Sequence, residues 1–207
     1  MHLFINRLIA ISLCLTPVTL TVTSQPSWGQ NQSLEVSIQE LTEDATQQTE
    51  QGKSLQGIET WQQVLDIARQ NDRKSLEAFA LVGLGLNYHD LKQPEKALEY
   101  YQQALPIAQR VGDRRLIGAT FNNMGASYQR LGQYQEALAY YTRALPLTQQ
   151  VDKLADIAKT LNNIGEVYSL TGKQATASQY YQEALFLAQK TGDPILEQEI
   201  RNNIAQN

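Results

Sequence analysis

The sequence predicts an all-α solenoid of stacked antiparallel helix pairs, on three observations. The 207-residue chain matches itself at an offset of 40: Gly85, Gly125 and Gly165 fall in register, as do Tyr88, Tyr128 and Tyr168, and the Tyr-Tyr pairs 100–101, 140–141 and 180–181. A fixed period of about 20–50 residues marks an array of supersecondary units. Within each unit the apolar spacing is helical: Leu81, Leu84, Gly85 and Tyr88 recur at i, i+3, i+4 and i+7, and Ala97, Tyr101, Ala104, Leu105 and Ala108 form a second stripe. Finally, Gly132 and Gly172 mark tight turns inside units, while Gly112-Asp113 and Gly192-Asp193-Pro194 read as one helix ending on glycine and the next starting on an Asp cap.

Residues 1–29 come first and have the layout of a secretory signal peptide. They hold no acid and one full positive charge, Arg7, followed by an apolar run from Leu8 to Val22. That run is shorter than the roughly 20 residues of a membrane-spanning helix. Ser27-Trp28-Gly29 places cleavage near Gly29, with Ser24 as the alternative, and Leu13 before Cys14 argues against a lipid anchor. The chain is therefore expected to be exported, periplasmic or extracellular, with no stable membrane insertion after signal removal.

The solenoid occupies residues 30–207. Its first unit, 33–72, diverges: counting back from Gly85 lands on Ala45, with Gly52 at the turn and Trp61 in the aromatic slot. Units 73–112, 113–152 and 153–192 follow in clear register. Small residues at Gly125 and Ala137 let the two helices approach closely, and Tyr128 and Tyr141 fill the space around that contact. Pro106 and Pro146 share one phase of the second helix and predict a bend there. Residues 193–207 repeat the Asn-Asn-apolar phrase at Asn202-Asn203-Ile204 and predict a closing helix over the last apolar face.

The segment Leu161-Asn162-Asn163-Ile164-Gly165-Glu166-Val167-Tyr168, a glycine turn, then Ala177, Tyr181 and Ala184 resembles the tetratricopeptide repeat. The unit is longer than the usual 34 residues, mainly in its second helix, and is similar to the variety of kinesin light chains and bacterial scaffold proteins. The resemblance covers about residues 33–207 and implies a right-handed superhelix whose first helices line a concave groove. It implies peptide contacts at Lys159, Asn162, Asn163 and Glu166 in the last full unit, and at Ala119, Asn122, Asn123 and Ala126 in the one before. In the second unit the matching positions are Phe79, Val82, Gly83 and Leu86, and Asn202 and Asn203 extend the row. The groove runs from an apolar end to an Asn-rich, charged end.

An Asn amide both donates and accepts, so such a row suits the backbone of an extended peptide. Equally, Asn123 and Asn163 can bond across neighbouring helices and set repeat geometry. Carboxylate capture has a partial match in Lys159 and the Asn residues, without a counterpart at Thr42, Val82 or Gly83. The expected function is that of an exported protein-interaction scaffold or adaptor, with a self-associating repeat module, hence a homo-oligomer, as the alternative and an enzyme with an unrecognised site as a remote one.

Composition narrows the chemistry. A net charge of -4 gives no basic field for nucleic acid. One Cys and two His cannot build a thiol framework or a usual metal site, and no phosphate loop or paired-carboxylate motif appears. No catalytic residue, cofactor or metal is expected. His89 beside Asp90 reads as a surface histidine near a helix end. Tyr101, Tyr141 and Tyr181 read as core, and Tyr100, Tyr140 and Tyr180 as packed between units.

Overall fold

A computed structural model describes residues 27–150 and 153–207. The expected signal region through Pro26, with Cys14 and Ser24, lies outside them. The described residues form nine α-helices: α1 (Ser27–Glu50), α2 (Ser54–Gln70), α3 (Lys74–Asp90), α4 (Pro94–Val111), α5 (Arg114–Arg130), α6 (Tyr134–Gln150), α7 (Leu154–Leu170), α8 (Gln174–Thr191) and α9 (Pro194–Gln206). Each helix packs on the next, and α1, α3, α5, α7 and α9 also touch in succession. This is the predicted solenoid of helix pairs. α9 closes the array by burying Leu196 and Ile200 against α7 and α8.

The turns between paired helices are near-identical. Each is closed by a backbone bond back to the preceding helix: Lys53 N–H to Gln48 C=O at 2.9 Å, Gln93 to Tyr88 at 2.9 Å, Gln133 to Tyr128 at 2.9 Å and Lys173 to Tyr168 at 2.8 Å. Three turns place glycine at the left-handed position just before that donor, whereas the second uses Lys92 at φ 59°. A side chain pays about 1–2 kcal/mol for this conformation, and glycine's greater unfolded-state freedom offsets part of that. Lys92→Gly is therefore expected to stabilise the fold by about 0.5–1 kcal/mol in urea unfolding. A loss of stability would mean that the Lys92 side chain makes a contact worth more than the strain.

Between units, Asp113 caps α5 by accepting from Leu116 N–H at 2.9 Å, and Asp193 caps α9 by accepting from Ile195 and Leu196. Gly112 and Gly192 end the preceding helices in the left-handed region, as expected. α4 and α6 continue through Pro106 and Pro146, both of which are exposed.

The core follows the small-against-large pairing. A β-carbon at Gly85 would lie 2.3 Å from the Tyr101 ring, at Gly125 2.6 Å from Tyr141, and at Gly165 2.8 Å from Tyr181. In the first unit Ala45 holds the glycine place and the aromatic shifts: Trp61 covers Gly83 of α3, where a β-carbon would lie 2.3 Å from the indole. Tyr100, Tyr140 and Tyr180 depart from the expected packing between units. They stack on Tyr88, Tyr128 and Tyr168 of their own units, with centroids 5.3, 5.1 and 5.5 Å apart. The short turn brings both ring positions to the same end of the pair.

Candidate peptide-binding groove

The inward faces of α3, α5, α7 and α9 carry the predicted row, but their side chains differ in availability. At the apolar end Phe79 is 40% exposed and meets the Trp61 ring edge to face, centroids 5.3 Å apart. Val82 is buried, and Gly83 lies beneath the Trp61 indole. Gly83 therefore offers no groove surface; its missing side chain is what admits the indole. Leu86 is half-buried and reaches the groove.

A cavity of about 510 Å³ opens where α3, α5 and α7 converge. Leu86, Ala119, Asn122, Asn123 and Lys159, positions that the family resemblance implied, line it. Arg115 and Lys153 line it too, together with Leu147, Asp156 and Glu50. None of these was read from the sequence. Arg115 lies one turn ahead of the repeating inward positions and Lys153 just before α7, so the only available signal was their place at helix starts. Arg115, Lys153 and Lys159 form no ion pair with any described residue; the ion pairs there lie elsewhere, at Arg69–Glu77, Arg73–Glu35, Lys74 with Asp72 and Glu77, and Arg201–Glu197.

Most of the asparagine row is taken up between helices. Asn163 Nδ2 donates to Asn122 Oδ1 at 3.5 Å, and Asn203 Nδ2 to Asn162 Oδ1 at 3.0 Å. Asn162 is fully buried and also donates to Glu199 at 3.3 Å. Asn123 has no side-chain hydrogen-bond partner among the described residues and faces the cavity, while Asn202 accepts from Gln198 within α9.

A second cavity of about 330 Å³ lies at the other end of the first helices, between His89, Ala126, Arg130, Asn163 and Glu166. His89, expected at the surface, is half-buried: it lines this cavity, and its Nδ1 lies 3.1 Å from Ser127 Oγ of α5. Burial, and secondarily the Arg130 guanidinium, lower its pKa to about 4. The neighbouring Asp90 carboxyl is raised by burial, against the pull of Arg130. Among the described residues no cluster of His, Cys, Asp and Glu is placed to hold a metal, and no helix is long and apolar enough to cross a membrane.

The family model for the tetratricopeptide repeat matches residues 45–110 and 116–190. The chain belongs to the tetratricopeptide-repeat family. Among solved structures, this tetratricopeptide-repeat chain is similar to a Rap protein complexed with Competence and Sporulation Factor, with 19% identity, TM-score 0.76, and coverage of 84% of this chain and 52% of that one. It is similar to the Rap conjugation gene regulator of plasmid pLS20 in complex with the Phr* peptide, at 20% identity, TM-score 0.67, and coverage of 76% and 43%. A third likeness is to the kinesin light chain TPR-like repeats of Podosopora anserina, at 16% identity, TM-score 0.64, and coverage of 82% and 84%. The chain spans about half the length of the two Rap proteins, and identities this low establish the shared fold. No curated protein matches the sequence significantly.

Proposed function

We propose that this tetratricopeptide-repeat chain is an exported interaction scaffold that holds an extended, acid-bearing segment of a partner protein in its concave groove, binding rather than transforming it. The observation that carries the reading is the cavity where Arg115, Lys153 and Lys159 converge, without ion-pair partners among the described residues, beside the Asn123 amide and the apolar Leu86 and Leu147. The pLS20 Rap regulator, similar in fold, is seen in complex with the Phr* peptide, which supports a peptide ligand here. The layout of residues 1–29 supports export.

Magnitudes divide the work within the groove. An exposed charge pair contributes about 0.2–1 kcal/mol and a net hydrogen bond about 0.5–1.5 kcal/mol, so the polar groups alone fall short of the roughly 8 kcal/mol of micromolar binding. Apolar contact with Leu86, Leu147 and Phe79 has to contribute the remainder. A preorganised solenoid lowers the ordering cost on its own side.

The test uses nine-residue peptides alternating acidic and apolar residues, measured by calorimetry against the same peptides with the acids made amides. The acidic set is expected to bind, to weaken with added salt, and to lose about 10–100-fold in affinity in Arg115→Ala/Asn123→Ala/Lys159→Ala, three contacts of about 0.5–1 kcal/mol each. Asn163 is left intact because it links α5 to α7. Equal binding by the amide set would refute the charge reading, and equal binding by the triple variant would move the ligand out of the groove. Protein isolated from the cell envelope and beginning at Gln30 would support export; an intact Met1 in the cytosol would refute it.

A further inference from the structure

Each pair of successive first helices is joined by an uncharged polar bridge, with one exception. Asn87 Nδ2 donates to Thr49 Oγ1 at 2.8 Å between α3 and α1, Asn163 to Asn122 between α7 and α5, and Asn203 to Asn162 between α9 and α7. Arg73–Glu35 and Asn162–Glu199 add charged partners at two of these seams, but neither seam depends on them alone. Between α3 and α5 the one side-chain hydrogen bond among the described residues is His89 Nδ1 to Ser127 Oγ. As at the other seams, α3 otherwise reaches α5 mainly through the intervening helix, α4, and one apolar cluster runs across the seam.

We infer that the seam between the second and third units is a pH-sensitive hinge of the groove, with His89 as its titrating group. It rests on the groove reading for its consequence, because both cavities straddle this seam: Leu86 on one side, Asn123 and Lys159 on the other. Opening it moves the apolar end of the groove relative to its cationic end.

The surroundings of His89 set the direction. Asp90 follows it on α3, Tyr101 packs from α4 with its hydroxyl buried, Arg130 lies on α5, and Tyr141 of α6 and Glu166 of α7 line the same cavity. From α1 and α2 no charged side chain acts on it, and the acting charge is Arg130. A proton on the ring therefore meets partial desolvation and the like charge of Arg130 in a half-buried site. The unfolded chain takes up that proton near 6.5 and the folded seam near 4. Stability at the seam is complete above about pH 6.5 and falls as the pH drops toward 4, since the open form binds the proton more tightly.

The experiment is amide hydrogen exchange on the full chain at pH 7 and pH 4.5, corrected for intrinsic rates, for wild type and His89→Gln. In wild type, protection around residues 84–90 and 122–130 is expected to fall at least about tenfold at pH 4.5, while peptides at the Asn162–Asn203 seam hold. His89→Gln is expected to abolish the pH-dependence. Equal loss at both seams, or the same pH-dependence in the variant, would overturn the hinge. If the variant does not fold, the His89 ring protons in wild type decide: a midpoint well below 6.5 supports the inference, and one at 6.5 overturns it. No ligand is needed, so failure here and failure of groove binding are separable.

Discussion

Gly83→Ala is expected to destabilise the fold by about 1–3 kcal/mol, although the same substitution in an exposed helix stabilises. A β-carbon at position 83 would lie 2.3 Å from Cε2 and 2.5 Å from Cδ2 of Trp61, the fused edge of the indole. That edge cannot swing away as a flexible side-chain tip can. The indole is also pinned from the other side, since its Nε1–H donates to Thr49 Oγ1 at 2.9 Å and Thr49 accepts in addition from Asn87. Overpacking such a site costs about 1–3 kcal/mol and loss of the indole hydrogen bond about 1 kcal/mol. The roughly 1 kcal/mol that alanine gains over glycine in a helix offsets part of this. Urea unfolding measures the cost, and Trp61 fluorescence in a Trp28→Phe background reports the indole directly. A variant as stable as wild type, with unshifted emission, would show that α2 and α3 can separate at no cost.

The fold was legible because its strongest signals are local and repeated. Gly85, Gly125 and Gly165 and the Tyr-Tyr pairs recur at one offset three times over, and Gly52, Gly132 and Gly172 mark where three of the pairs fold back; that each glycine meets the second Tyr of its unit is what the structure adds. The turn at Lys92 has no glycine, and its signal in the sequence is Pro94 at the first position of α4. Groove positions on one helix came from the resemblance to the tetratricopeptide repeat, carried from unit to unit by the 40-residue register, and of these Leu86, Asn123 and Lys159 fall on the cavity.

Relations between units were not legible, because they depend on how far each unit rotates against the next. Arg115 and Lys153 converge on Lys159 only through that rotation. The same holds for the contact of His89 with Ser127 of α5 and for the Asn122–Asn163 bridge. Adjacent tyrosines such as Tyr100 and Tyr101 carry no information on which ring turns inward. Only the packed turn shows Tyr100 lying on Tyr88.

Tyr101→Phe is expected to stabilise the protein by about 1–2 kcal/mol, whereas Tyr141→Phe is expected to destabilise it by about 1 kcal/mol. The two rings occupy the same register position and are both fully buried. They differ in what meets the hydroxyl. In three units the residue twelve positions earlier serves the aromatic tip: Thr49 accepts from Trp61, Gln129 from Tyr141 at 2.8 Å, and Ser169 pairs with Tyr181. In the second unit that residue is His89, which turns to Ser127 of the next unit and leaves the Tyr101 hydroxyl buried without a partner. Burial pushes both phenols above their ordinary range, so neither escapes by ionising. Removing an unsatisfied buried hydroxyl relieves its desolvation, while removing a bonded one strands Gln129. Urea unfolding with unchanged m-values reads both effects, and a destabilised Tyr101→Phe would show that the hydroxyl is served after all. The contrast also gives a reason for the orphan: a histidine committed to the seam between units is not available to the ring inside its own.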